Sequence, residues 1–174
     1  MRLCHRGLDL DRLPEQLLPA LRRAISIDAA FFTTADPETL LFTGPYQEEP
    51  LSSAVLMFLD NEFGVADVNR FTSLAASVPH VATLDAATRG DRPSSARYRD
   101  IMRPLGLGDE LRAALVAGTQ CWGYLCLHRE DHRTGFSRAE AALITRLGPH
   151  IAHAVRHASL LRRALPKPTA RARA

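Results

Sequence analysis

The sequence is poor in several features, and each shortage excludes a class of protein. Three cysteines in 174 residues are too few and too scattered for the disulfide framework of a small secreted domain. No apolar run approaches the roughly 20 residues that cross a bilayer, and the N-terminus lacks the pattern of a signal peptide. We therefore expect a cytoplasmic protein that does not interact with a membrane.

Lysine is nearly absent, because Lys167 is the only one among 22 basic residues. The formal net charge of +3 comes largely from the segment after residue 161, which contains five basic residues and no acidic one. The folded part therefore does not carry the overall basic charge that is typical of a nucleic-acid-binding domain. The end of the chain is rich in proline, alanine and arginine, so we predict one domain at residues 1–163 and a truncated linker at 164–174.

Motifs of catalysis are also missing. The chain has no Gly-x-Ser-x-Gly, no glycine-rich phosphate-binding loop and no His-Glu-x-x-His. Residues 106–108 (GLG) are too short for a dinucleotide fingerprint and precede a predicted strand instead of a helix. We therefore expect that this protein is not an enzyme.

Apolar periodicity predicts a helix at each end of the domain. Apolar residues recur every fourth position over residues 11–25, the spacing of one helix face. Residues 136–140 (FSRAE) have the pattern of a capping box, which predicts the start of a long helix. The apolar stripe of that helix contains Leu143, Leu147, Ile151, Ala154, Ala158, Leu161 and Leu165.

The segments between these helices are typical of a sheet with inserted short helices. One hairpin is predicted before Gly44 and Pro45, and a second one around residues 118–120. Strict alternation in the last strand predicts that Trp122 and Tyr124 share one face and that Cys121 lies on the other. Strands are predicted at residues 29–34, 39–43, 81–84, 109–117 and 121–129, and short helices at 51–59, 68–76 and 95–102. This order predicts an α+β sandwich.

Five local motifs occur along the chain in a fixed order. They are residues 32–37 (FTTADP), 106–112 (GLGDELR), 122–129 (WGYLCLHR), 135–137 (GFS) with Glu140, and 147–151 (LGPHI). In combination they resemble the GAF domain family over residues 10–163. The greatest similarity is to GAF sensor domains at the N-terminus of actinobacterial LuxR-type helix-turn-helix transcriptional regulators.

The resemblance implies an α+β fold of the GAF/PAS type. In this fold a central antiparallel sheet of five or six strands carries the terminal helices on one face, and short helices cover a pocket on the other. The implied function is sensing of a small-molecule effector without catalysis, in signal transduction and transcription regulation. DNA would be contacted only through a C-terminal domain, because nothing after Pro166 can form a helix-turn-helix. The sequence identifies neither the effector nor a cofactor.

The resemblance also implies positions for the pocket and for a homodimer interface. A ligand would contact Phe31, Thr33, Phe58, Phe71, Tyr98, Met102, Leu111, Ala113, Trp122 and Tyr124. The terminal helices would pair through Leu13, Leu17, Leu21, Leu147, Ile151, Ala154, Ala158 and Leu161. Aromatic and aliphatic residues at such spacings are also the usual composition of a core, so the same residues are consistent with simple packing.

Several alternatives remain open from the sequence. The domain could be a ligand-free dimerisation or protein-interaction scaffold whose aromatic residues fill the pocket. It could be a redox or haem sensor, with Cys4 or Cys126 as the reactive thiol, or a small redox enzyme on the same fold that uses Cys126. His150, His153 and His157 share a helix face and could offer nitrogens to a metal, although solvent exposure or an interface explains them better and no metal site is predicted.

Overall fold

The computed structural model describes residues 9–164, and these residues form an α+β domain around one antiparallel sheet. Along the sheet, the strands follow the order β2-β1-β5-β4-β3. Their bounds are β1 (Ala29–Ala35), β2 (Phe42–Gln47), β3 (Val81–Thr83), β4 (Leu107–Ala117) and β5 (Gln120–Glu130). The fold class predicted from the sequence is therefore confirmed, with five strands. The predicted linker lies outside the described residues from position 165 onward, as does Cys4.

Five α-helices accompany the sheet in the described part of the chain. They are α1 (Leu13–Arg22), α2 (Val55–Gly64), α3 (Phe71–Ala76), α4 (Leu84–Ala87) and α5 (Arg138–Ala164). Short 3-10 turns occur at Leu51–Ala54, Arg92–Ser94 and Arg103–Leu105, and a π-helical turn covers Tyr98–Met102. None of the helices in residues 9–164 combines the length and apolarity needed to span a membrane.

The hairpin of β4 and β5 is the longest pairing in the sheet and is joined by a two-residue loop. Ala117 pairs with Gln120, and Gly118 between them has a φ of 65°. This left-handed conformation favours glycine, so the sequence locates the turn correctly. The predicted strands are confirmed here to within two residues at each end.

The second strand is displaced from its predicted position. We expected it to end before Gly44 and Pro45, but β2 contains both residues. Because β2 is an edge strand, proline can occupy it without removing a hydrogen bond from the interior of the sheet. Of the residues expected to form the strand, only Phe42 and Thr43 belong to β2. The turn that precedes them covers residues 37–39, and Oδ1 of Asp36 accepts hydrogen bonds from the backbone N–H groups of Glu38 and Thr39 at 3.0 Å.

The side-chain alternation predicted for β5 is wrong at its N-terminal end. Val116 pairs with Cys121 and Leu115 pairs with Gly123, so Trp122 is an extra residue in a β-bulge. The bulge moves Trp122 to the face of the sheet that packs against the terminal helices. Cys121 consequently lies on the same face as Tyr124 and Cys126, whereas strict alternation predicted opposite faces.

The main core lies between the sheet and the terminal helices α1 and α5. Five of the residues predicted for a dimer interface are buried inside this core within a single chain: Leu13, Leu17, Leu21, Ile151 and Ala158. Their apolar periodicity therefore reflects packing on the chain's own sheet, and they present no surface to a second copy. Leu147 and Ala154 are half-buried, and Leu161 is 48% exposed.

The capping box predicted at the start of α5 is confirmed. The backbone N–H and the hydroxyl of Ser137 both donate to Oε2 of Glu140 at 2.8 Å, and the backbone N–H of Glu140 donates to Oγ of Ser137 at 3.3 Å. These reciprocal bonds satisfy two donors that the first turn of a helix otherwise leaves free. They fix where the chain turns from β5 onto the sheet face.

Candidate ligand-binding cavity

A cavity of about 230 Å³ lies between the sheet and the short helices on the face opposite α1 and α5. One wall comes from β1, β2, β4 and β5, and the other from the first 3-10 turn, α2 and the start of α3. The residues around it are Phe31, Phe42, Pro45, Gln47, Leu51, Val55, Phe58, Leu59, Glu62, Phe71, Arg112, Cys126 and His128. The wall is mainly apolar with a few polar side chains, which is typical of a small-molecule site.

Four aromatic rings, three from the sheet and one from the start of α3, pack together at one side of the cavity. The ring of Phe71 stacks on Tyr124 with the centroids 4.6 Å apart, and Phe42 lies 5.5 Å from Tyr124. Phe31 lies 5.6 Å from Phe42. Such offset and edge contacts fix the rings in place, so this wall is preformed.

Two arginines and two glutamates form a buried ion-pair network beside the aromatic rings. Glu110 accepts hydrogen bonds from Nε of Arg97 at 2.7 Å and from Nε of Arg112 at 3.2 Å. Nη1 of Arg112 donates to Oε2 of Glu62 at 2.7 Å, and its guanidinium lies 4.4 Å from the centroid of the Phe71 ring. None of the four charged side chains is more than 3% exposed, so each buried charge depends on its partners.

The network extends to the helices that cover the cavity. Oδ2 of Asp67 accepts from the backbone N–H of Arg97 at 2.7 Å and from Nδ2 of Asn61 at 3.2 Å. Oε1 of Glu62 accepts from the backbone N–H of Phe71 at 2.7 Å. Asn61 and Glu62 are the buried residues of α2, so polar side chains anchor this helix to the domain.

Cys126 and His128 bring a thiol and an imidazole to the edge of the same network. The two residues are two positions apart on β5, so their side chains lie on the same face of the strand. The Sγ of Cys126 lies 3.2 Å from Nε2 of His128 and 3.4 Å from Oε2 of Glu110. Nδ1 of His128 has no hydrogen-bond partner among residues 9–164.

The protonation states follow from burial and from the two arginines. Burial alone would raise the pKa of Glu110, but Arg112 and Arg97 outweigh it and hold the pKa well below its usual range. Burial lowers the pKa of His128 to about 4, so the imidazole is neutral at pH 7. Burial, and then the charge of Glu110, raise the pKa of the Cys126 thiol well above its usual value. A protonated thiol is not an activated nucleophile.

The structure brings together some of the residues predicted for the pocket and separates others. Phe31, Phe58 and Phe71 line the cavity. Thr33 and Tyr124 are paired on the same sheet face, where Tyr124 supports the ring of Phe71, but neither lines the cavity itself.

The other five predicted pocket residues lie elsewhere. Leu111, Ala113 and Trp122 belong to the core under the terminal helices, on the opposite face of the sheet. For Trp122 the cause is the bulge in β5. Tyr98 and Met102 pack in a neighbouring apolar cluster and do not reach the cavity.

Sequence reasoning missed the polar side of the cavity. Glu110, Arg112, Glu62 and His128 were not predicted as site residues, and Cys126 was considered only as a reactive thiol. One signal was available, because Glu110 and Arg112 alternate with Leu111 and Ala113 along the strand. A pair of charges on one face of a buried strand indicates a polar site on that face.

The helical histidines are not part of the cluster of ligand-type side chains found among the described residues. His150, His153 and His157 are exposed on α5. Within residues 9–164, the group of three or more ligand-type side chains close enough to hold one ion consists of Glu110, Cys126 and His128.

These features define a class of protein: a small α+β domain with terminal helices on one sheet face and a ligand-sized cavity on the other. The family model described as the GAF domain matches residues 15–155. The chain therefore belongs to the GAF domain family. No curated protein sequence matches it.

Solved structures with the same fold come from several bacteria. A GAF domain/HD domain protein from Geobacter sulfurreducens has a TM-score of 0.64 and 21% identity, with 92% of this chain and 99% of that chain covered. The VqsR LBD domain from Pseudomonas aeruginosa has a TM-score of 0.57 and 16% identity, with 90% and 92% covered. Escherichia coli SdiA has a TM-score of 0.60 and 13% identity, with 97% and 68% covered. At these identities the similarity establishes the fold.

Proposed function

We propose that this chain is the non-catalytic, small-molecule-sensing domain of a cytoplasmic bacterial transcriptional regulator of the LuxR type. It acts as a homodimer through its terminal helices, and DNA binding belongs to a helix-turn-helix domain elsewhere in the protein. The proposed relation to actinobacterial regulators rests on the sequence motifs described above. The observation that carries the sensing function is the apolar cavity of about 230 Å³ with polar groups at one side.

The size and lining of the cavity support a small effector. Its volume lies below the roughly 300–1,000 Å³ of sites for drug-sized ligands, so the effector has fewer atoms than a typical drug. Its apolar part would pack against the rings of Phe31 and Phe71. Its polar part would meet Arg112 or His128 on the sheet wall, or Glu62 on the helical wall.

The surface of α5 supports pairing of two chains. A stripe of half-buried or exposed residues recurs at alternating spacings of four and three, as in a two-helix seam. These residues are Leu143, Leu147, His150, Ala154, His157 and Leu161. The stripe includes Leu147, Ala154 and Leu161 from the interface predicted by sequence, and it replaces the residues that are buried in the chain's own core.

Strand β5 offers a physical connection between the cavity and the helical stripe. Cys126 and His128 face the cavity, whereas Leu125 and Leu127 on the same strand pack in the core beneath α1 and α5. A ligand that prefers one arrangement of the cavity wall would bias the packing on the other face. The direction in which the end of α5 leaves the domain would then change, because the ligand shifts the population between two packed states.

Native mass spectrometry with two neighbouring variants tests the sensing function. Val55 lines the cavity, whereas Leu56 on the same helix is 77% exposed. We expect the purified domain to carry a reproducible extra mass that is lost on denaturation. Val55→Trp, which fills the cavity, should lose that mass, and Leu56→Trp should retain it. Wild-type protein without any extra mass, expressed in its native host, would favour the scaffold function instead.

Sedimentation analysis tests the dimer. Leu161→Glu places a charge in the proposed seam, and Leu56→Glu places the same charge on the far side of the domain. At tens of micromolar we expect a dimer for the wild type and for Leu56→Glu, and a monomer for Leu161→Glu. A monomeric wild type would contradict the proposed assembly.

A further inference from the structure

We propose that Glu110, Cys126 and His128 bind a divalent first-row transition cation of the zinc class beside the cavity. Their three ligand atoms lie within 4.8 Å of one another, and all three side chains are buried. A carboxylate, a thiolate and an imidazole match the ligand preference of such cations, whereas magnesium and calcium prefer oxygen alone.

Two of the three distances between the ligand atoms are close to those expected around one tetrahedral centre. Ligands that lie about 2.0–2.3 Å from a tetrahedral cation are about 3.3–3.8 Å from each other. Sγ of Cys126 lies 3.4 Å from Oε2 of Glu110 and 3.2 Å from Nε2 of His128. A small outward adjustment of the imidazole therefore opens the site, and the strand backbone already holds Cys126 and His128 on the same face.

The charges around the site balance when the cation is bound. Three buried carboxylates (Glu62, Asp67 and Glu110) face two guanidinium groups (Arg97 and Arg112), which leaves one uncompensated negative charge. Binding replaces the thiol proton of Cys126 by the cation, and the proton leaves to solvent. The divalent charge and the new thiolate then bring the whole group to neutrality. The positive charges of the nearby arginines would repel a cation, but the three carboxylates already balance them.

The hydrogen bonds of Glu110 are compatible with this exchange. Oε1 is occupied by Arg97, whereas Oε2 is shared between Nε of Arg112 at 3.2 Å and the thiol of Cys126. A carboxylate oxygen has two lone pairs, so Oε2 can keep its bond to Arg112 and bind the cation where the thiol proton was. The arginines then act as outer-shell partners that orient the carboxylate.

The fourth coordination position faces the cavity. Cys126 and His128 line the cavity as well as the proposed site. Sites with three protein ligands commonly leave one position for water or another small ligand. The cation would therefore be accessible to a molecule that enters the cavity, while its other sides remain enclosed.

Titration with Co²⁺ after chelator treatment tests the site, and Cys121 provides a matched control. Cys121 is also buried on the cavity face but is not part of the ligand group. In a Cys4→Ser background we expect one Co²⁺ per chain, with a thiolate-to-cobalt charge-transfer band that Zn²⁺ displaces. Cys126→Ser should abolish the band and weaken Co²⁺ binding more than about tenfold, since even outer-shell changes cost about 10–100-fold. Cys121→Ser should leave both unchanged.

A second variant protects the test against misfolding. His128→Gln should weaken Co²⁺ binding by at least about tenfold, and circular dichroism and thermal unfolding establish that each variant retains its fold. The absence of stoichiometric Co²⁺ binding would overturn the proposal, and so would a charge-transfer band that survives Cys126→Ser. The titration requires no organic effector, so it fails or succeeds independently of the proposed sensing function.

Discussion

The side chains of Arg97 and Glu110 form an ion pair from which solvent is wholly excluded. Arg97 directly precedes the π-helical turn, and Glu110 lies on β4, the first strand of the β4–β5 hairpin. Neither side chain has any exposed surface. The pair therefore ties the irregular chain between β3 and β4 to the sheet, and each buried charge is tolerated because partners of opposite charge lie beside it.

Loss of Arg97 should be strongly destabilising. In Arg97→Met the carboxylate of Glu110 keeps only Arg112 as a charged partner, so we expect the free energy of unfolding to fall by about 3–5 kcal/mol. Arg103→Met changes an exposed arginine nearby and should alter it by less than about 0.5 kcal/mol. Urea unfolding followed by circular dichroism measures both. A loss below about 1 kcal/mol for Arg97→Met would mean that the pair contributes little.

Asp67 should make stability dependent on pH in the acid range. Burial alone would raise its pKa, but hydrogen bonds and the charge of Arg97 lower it below the usual value. The unfolded chain therefore takes up the proton first, near pH 4, and the contribution of Asp67 is lost as the pH falls through the folded-state pKa.

The variant Asp67→Asn isolates this contribution. At pH 7 we expect it to reduce the free energy of unfolding by about 1–3 kcal/mol, because a charged acceptor of Arg97 is lost. Thermal unfolding of both proteins from pH 7 to pH 3 should show that their difference narrows below about pH 4. A difference that stays constant over this range would contradict the assignment.

Two glycines should respond to alanine in opposite directions. A Cβ at Gly123 would lie 2.5 Å from the backbone oxygen of Thr33, so the neighbouring strand would have to move. We expect Gly123→Ala to cost about 1–3 kcal/mol. A Cβ at Gly148 meets no described atom within 4 Å, and alanine favours the helix, so Gly148→Ala should gain up to about 1 kcal/mol. Chemical denaturation of the two variants provides the comparison, and a stabilised Gly123→Ala would refute the close approach.

The capping box at Ser137 and Glu140 should contribute measurably to stability. Ser137→Ala removes the acceptor for the backbone N–H of Glu140, and we expect a loss of about 1 kcal/mol. Ser137→Asp retains an acceptor at the same position and should preserve most of the stability. Equal losses in the two variants, measured by thermal unfolding, would indicate that the cap is not the cause.

The sequence predicted the order of helices and strands because local signals were strong. The turn at Gly118 and the cap at Ser137 each depend on a few neighbouring residues, and both were placed correctly. The bulge at Trp122 was not predictable in this way, since it depends on how β5 pairs with β4. One inserted residue then reversed the faces assigned to Trp122 and Cys121.

The candidate site was predicted only in part for a similar reason. Phe31 and Phe71 could be assigned to the cavity from the family layout. The charged group could not, because Arg97, Glu110 and Glu62 are far apart in sequence and meet only after the chain folds. The stripe proposed for pairing on α5 was missed for the same reason. Periodicity identified an apolar helix, but only burial separates its core face with Ile151 from its outer face with Leu161.

The helix α2 reverses the usual distribution of residues, since it buries Asn61 and Glu62 and exposes Leu56, Met57 and Phe63. A segment held mainly by directional polar bonds can detach as a unit without exposing much new apolar surface. Its amide protons should therefore exchange with deuterium well before those of β4 and β5. The heat-capacity change of this local opening should be small compared with that of global unfolding, because little apolar surface becomes exposed. A ligand would then enter the cavity when α2 opens locally, and the hydrogen bonds of Asn61 and Glu62 would determine how often this happens.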